Sequence, residues 1–210
     1  MMKLICAIIL VATLLPNVAR ADSPVRITLV RDSSAISYSE LKSITKIVRA
    51  YVPLVAQAWG KSVISVNYSA TPIQGNWNVY ISDKYRQGNV SGYHNVFDSA
   101  VAYISPMNAG LPNTCSGVHS KALWGNTRTK HPGLVAKITR EIAEMIVDPY
   151  LNYRIGRTLI EICKPLNNSY FVLDKAVVAD FALPSLYITN GIPPLSYAHA
   201  QGLTAGSFNE

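Results

Sequence analysis

The fold turns on the stretch VAKITREIAEMIVDP, Val135 to Pro149. Leu134, Ile138, Ile142, Met145 and Ile146 recur at helical spacing and predict an amphipathic helix with one buried stripe. Lys137, Arg140, Glu141 and Glu144 fall on its polar side. In a zinc-binding helix, a His and a second ligand four residues later leave one face, and a Glu beside the His activates a water. Glu141 and Glu144 stand where such a base and such a second ligand stand. The first ligand position holds Arg140, a permanently charged guanidinium that donates hydrogen bonds and cannot coordinate a cation. The plainer reading is an ordinary surface helix. Lys137–Glu141 and Arg140–Glu144 are i, i+4 pairs, worth a few tenths of a kcal/mol each.

The flanking sequence predicts one α+β domain without repeats. Val25 to Leu29 alternates like a half-buried strand. Ser37 and Glu40 form an S-x-x-E capping box opening a helix with Leu41, Ile44, Val48, Tyr51 and Val55 on one face. Pro53 is expected to kink that helix and Gly60 to stop it. Strand-like runs follow at Val63–Tyr68, Trp77–Ser82 and Ala100–Ile104, then a long Asn/Gly/Pro-rich segment, Asn108–Gly133. After the Glu-bearing helix come short strand-like runs at Thr158–Cys163, Tyr170–Leu173 and Val177–Phe181. The fold class is α+β, a small mixed sheet packed on an N-terminal amphipathic helix and a second helix bearing Glu141 and Glu144. Residues 22–195 form the domain, and residues 196–210 read as a loosely ordered tail.

The start of the chain bears on its compartment. Lys3, the apolar run Leu4 to Leu15 and the pattern Val18-Ala19-Arg20-Ala21 read as a signal peptide over residues 1–21. That run is too short to cross a bilayer, which needs roughly 20 residues. The expected localisation is secreted or periplasmic. Removing residues 1–21 takes away Lys3 and Arg20 and lowers the net charge from +7 to +5. The remaining charge is spread thinly. Lys121, Arg128 and Lys130 are the nearest approach to a basic patch, so nucleic acid is an unlikely partner. Cys115 and Cys163 remain after cleavage, and an even pair in an exported chain suggests a disulfide. Such a bridge contributes roughly 4 kcal/mol on the chain-entropy model. Two separate buried thiols are the alternative.

Several segments, taken together and in order, resemble a family of zincin-like metallopeptidases of bacterial and phage genomes. That family carries a helix S-H-E-L-L-E-M-L-x-D-P, then E-V-C-D-P-V-E, then V-S-D-F-V-x-P. Here the helix motif reads TREIAEMIVDP, Thr139 to Pro149, and the later segments read EICKPLN, Glu161 to Asn167, and VADFALP, Val178 to Pro184. Upstream, Ala58-Trp59-Gly60, the strand Trp77 to Asp83 and Gly92-Tyr93-His94 fall in matching order. Glu141, Glu144, Asp148, Glu161, Cys163 and Asp180 are kept. Arg140 replaces the metal-binding His, and Lys164 and Asn167 replace an Asp and a Glu.

The resemblance implies a zincin-like domain in which Glu141 is a vestigial general base and Arg140 fills the ligand position. Arg140 and Lys164 then supply covalently the positive charge that a metal otherwise brings to clustered carboxylates. On this reading the protein binds a peptide or protein partner and needs no cofactor. The alternative is an active peptidase holding zinc through His94, Glu144 and Glu161, with Glu141 as the base. His119, His131 and His199 are further histidines with no such motif around them. A weaker alternative is an envelope-binding module built on Lys121, Arg128 and Lys130. The chain carries no G-x-S-x-G elbow, phosphate-binding loop or dinucleotide fingerprint.

Overall fold

The structure, a computed structural model, describes residues 25–82, 84, 92–96, 99–105, 133–156, 158–166, 169–188, 196–203 and 206–207. The expected signal peptide, Cys115, His119, His131, Lys121, Arg128, Lys130 and Asn167 lie outside the described residues. Strand β1 (Val25–Asp32) leads into helix α1 (Tyr38–Ala58), and strand β2 (Val63–Ser69) returns parallel to β1. The capping box forms as read. The Ser37 side chain accepts from the Glu40 amide, and the Ser37 amide donates to the Glu40 carboxylate at 2.8 Å. Helix α1 runs through Pro53, and Gly60 follows it at φ +62°, a conformation glycine adopts without strain.

Strands β3 (Trp77–Ser82), β4 (Gly92–Val96) and β5 (Ala100–Ile104) complete a five-stranded mixed sheet in the order β2-β1-β3-β5-β4. All pairings are parallel except β4 with β5. Because β2 and β3 flank β1 and run the same way, residues 70–76 must cross back over β1. Asn76 Nδ2 donates to Thr28 Oγ1 at 2.8 Å on the face away from the helices. On that same face Tyr80 stacks on Tyr103 with ring centroids 5.3 Å apart, and Tyr93 meets Tyr103 at a tilt, 5.2 Å away.

The opposite face carries Ile27, Leu29, Val79, Ile81, Ala102 and Ile104 into the core. Helix α2 (Leu134–Val147) lies there beside α1, with Leu134, Ile138, Ile142, Met145 and Ile146 buried as the periodicity predicts. Each such side chain stabilises the fold by about 1.5–3 kcal/mol through burial. On its far side α2 meets a second sheet of β8 (Ser169–Leu173), β9 (Ala176–Ala179) and β10 (Gly206–Ser207), in the order β10-β8-β9. Thr139 Oγ1 joins the two, accepting the Ala179 amide at 2.9 Å while it bonds to carbonyls of its own helix. Between α2 and β8 lie a small hairpin, β6 (Arg154–Ile155) with β7 (Thr158–Leu159), and a 3-10 turn, Lys164–Leu166.

Two expectations need correction. The run Thr158–Cys163 is strand only over Thr158–Leu159; Ile162 and Cys163 are buried in the core, and the Ile162 carbonyl accepts the Ala182 amide at 2.7 Å outside any strand ladder. The stretch from residue 196, expected as a loose tail, contains helix α4 (Tyr197–Ala200), which follows the short α3 (Pro184–Ile188). Asp180 Oδ1 holds α4 by accepting the Ala198 amide at 3.0 Å. Tyr197 stacks on Phe181 at 4.9 Å. A buried carboxylate and an aromatic stack thus tie the segment to the core.

Candidate functional site

The site forms where strand β4 passes over helix α2. Strand periodicity puts Gly92, His94 and Val96 on the helix-facing side, in register with Ile104, Ala102 and Ala100. Helical periodicity brings Glu141 and Glu144 one turn apart beneath that strand. His94 Nδ1 stands 3.3 Å from Glu141 Oε2 and 3.6 Å from Glu144 Oε2. Arg140 Nε stands 3.6 Å from Glu144 Oε1. The side chains of Glu141, His94, Glu144 and Arg140 are 6, 10, 13 and 25% exposed. The two oxygens of Glu144 therefore face different groups, Oε1 the guanidinium and Oε2 the imidazole.

Gly92 makes this approach feasible. A Cβ at that position would lie 3.3 Å from Glu141 Oε1 and 3.4 Å from its Cγ, so a side chain there presses on the carboxylate. His94 Nε2 is buried and has no hydrogen-bond partner among the described residues. For the ring as a whole, burial disfavours the charged form. The hydrogen bond to Glu141 and the charges of Glu141, Glu144 and Asp148 outweigh it and raise the His94 pKa. Burial, then repulsion by Glu141, pushes Glu144 up to about 7, and Glu161 adds to the rise. Arg140 and His94 pull the other way without cancelling it.

The residues singled out in the sequence divide into three groups. His94, Glu141 and Glu144 offer ligand atoms all within 4.8 Å of one another. Arg140 borders them. Glu161 is near enough for its charge to bear on Glu144, but lies outside that group. Its backbone carbonyl accepts from Tyr187 Oη at 3.1 Å. Asp148 and Asp180 are structural. Asp148 Oδ1 accepts the amides of Asn152 and Tyr153 at 2.9 and 3.0 Å and turns the chain after α2, while Asp180 anchors α4.

Cys163 is a free, buried thiol, 4.0 Å from the carbonyl oxygen of Arg140, so the disulfide expected with Cys115 is not formed in this structure. Burial, aided by the charge of Glu144, pushes this thiol well above its usual pKa and leaves it a poor nucleophile. His199 sits in α4, where its amide bonds to Ser196 Oγ.

Sequence reasoning missed that Gly92 to Val96 is a strand, and that Glu141, read as a base, shares one cluster with His94. The alternation Gly92, His94, Val96 against Tyr93 and Asn95 is the signal that carries the first point. Comparison of the chain with protein-family models, curated proteins and solved structures yields no match.

Proposed function

We propose that this is a zincin-like protein of the periplasm or extracellular space that has lost peptidase chemistry and binds a peptide segment along β4. The observation that carries the reading is Arg140, in the first ligand position of the helix motif, with Nε 3.6 Å from Glu144 Oε1. Opposite unit charges at about 4 Å attract by roughly 4 kcal/mol at an effective dielectric near 20, before desolvation is subtracted. A cation is therefore fixed to the helix beside the carboxylate that a catalytic metal needs. Glu141 supports the reading as well. A general base must stand clear of the metal's ligands to reach a water, whereas Glu141 Oε2 points at the same His94 nitrogen as Glu144 Oε2.

Support for the zincin-like assignment comes from the motif order together with a mixed sheet on two helices, one of them bearing Glu141 and Glu144. Support for a peptide partner comes from β4, which pairs with β5 on one side and, among the described residues, ends the sheet on the other. An extended peptide adds to such an edge through backbone hydrogen bonds, placing alternate side chains over the cleft. Export rests on the pattern of residues 1–21. No helix among the described residues is long and apolar enough to cross a membrane.

A second reading, an active metal-dependent peptidase, draws on one observation, the imidazole of His94 set against Glu144 where the helix lacks a ligand. One experiment separates the two. Peptides from a casein digest are added to the mature protein, amide NMR shifts are followed, and the peptides are weighed afterwards by mass spectrometry. Shifts centred on Gly92–Val96 with intact peptides support binding without cleavage. Cleaved peptides support the second reading, and no shift in β4 counts against both.

A further inference from the structure

We propose that His94 Nδ1, Glu141 Oε2 and Glu144 Oε2 form a site for one divalent cation of the zinc type, which staples edge strand β4 to helix α2. Metal binding of this kind is not hydrolytic, because it takes the motif's base, Glu141, as a ligand. The inference goes beyond peptide binding and stands without it, since the cation is measured with no peptide present.

The geometry has three parts. His94 reaches the carboxylate pair from another element, 47 residues away along the chain, and supplies the nitrogen that Arg140 denies the helix. Its side chain is nine-tenths buried and its ring is aimed between the two carboxylates. The spacing also suits a metal. Donors about 2.0–2.2 Å from a tetrahedral ion stand roughly 3.3–3.6 Å apart, and the His94 nitrogen lies 3.3 and 3.6 Å from the two oxygens.

Finally, Arg140 Nε stands 3.6 Å from the other oxygen of Glu144, Oε1, while Oε2 is turned to His94. It stands outside the cluster, as a charge beside the carboxylate and not as a ligand. One nitrogen and two carboxylate oxygens, with a fourth position for water, suit zinc better than calcium or magnesium, which prefer more oxygens. Two carboxylates and a neutral imidazole also match a divalent charge.

The test is calorimetric titration of chelator-stripped, dialysed mature protein with zinc, beside His94→Gln, Glu144→Gln and Arg140→Leu. The expected result is one ion per chain with micromolar or tighter affinity. His94→Gln and Glu144→Gln should each lose on the order of a hundredfold, whereas Arg140→Leu, which removes a positive charge beside the ion, should bind no more weakly than the parent. Circular dichroism checks that each variant folds. A measurement on the parent alone guards against misfolded variants, because zinc should move the His94 Nδ1 resonance in the nitrogen-15 spectrum far more than that of His199. Absence of stoichiometric uptake, equal affinity in a folded His94→Gln, or an unmoved His94 resonance overturns the proposal. Peptide shifts in β4 recorded in the presence of chelator tell failure of this site apart from failure of peptide binding.

Discussion

His94 and Glu141, 47 residues apart in sequence, meet at 3.3 Å between an edge strand and a helix. The contact does two things. It fixes the imidazole over the helix, and it gives the ring a negative neighbour that favours its protonated form despite burial. Glu141→Gln keeps the size of the side chain and removes the charge. The His94 pKa should then fall, read from the ring carbon proton by NMR titration in the presence of chelator. A rise, or no change, breaks the electrostatic account of the site.

Stability should decline as pH rises through neutrality when no metal is present. Glu144 is held at about 7 in the fold against 4.5 in the open chain, so the folded state binds the extra proton between those values. Stability therefore falls from about pH 4.5 to pH 7. His94 acts in the same direction. Its folded pKa is raised above 6.5, so its contribution is complete below 6.5 and is lost as pH passes the folded value. The groups around them are Glu141, Arg140, Asp148 and Glu161. Thermal unfolding in chelator should give a lower Tm at pH 8 than at pH 5.5, from a loss on the order of 3 kcal/mol at most. Glu144→Gln should flatten the profile, and a Tm that climbs from pH 5.5 to pH 8 contradicts this.

Gly92→Ala should cost about 1 kcal/mol, because the added methyl meets the Glu141 carboxylate at 3.3 Å and the side chain must move aside. Gly92→Val should cost more and weaken zinc binding further than it weakens folding. Denaturant unfolding and zinc titration of the two variants check both halves. An unchanged zinc affinity in folded Gly92→Val would place Glu141 outside the metal site.

How much of this was legible in the chain depends on the range of the interaction. Helix α1 was, because its capping box and apolar stripe lie within a few residues of one another. So was α2, whose stripe repeats over four turns. Strand β4 was missed, since Gly92-Tyr93-His94-Asn95-Val96 is too polar to read as a strand and gains its place from pairing with β5. The helix Tyr197–Ala200 is not legible in the Gly-, Ala- and Ser-rich end of the chain, because composition carries no sign of the Asp180 carboxylate that accepts its Ala198 amide. At the site, Arg140 against Glu144 followed from helical spacing. His94 against Glu141 did not, because no local pattern reports which strand crosses which helix turn.

Thr139 supplies a check on the scaffold. Its hydroxyl accepts the buried amide of Ala179 and links α2 to the second sheet. Thr139→Val keeps the shape and strands that amide, at a cost of about 1–3 kcal/mol in denaturant unfolding, while Thr139→Ser should recover much of it. Equal stability of Thr139→Val and the parent would mean that β9 is not held by this bond.

The most direct test of the account is hydrolysis itself. Zinc-loaded mature protein, its Arg140→His variant and its Glu141→Gln variant are incubated with casein, and new amino termini are counted. The parent should release no new amino termini at any zinc concentration. Zinc-dependent cleavage by the parent that disappears in Glu141→Gln would contradict this and make Glu141 a working base.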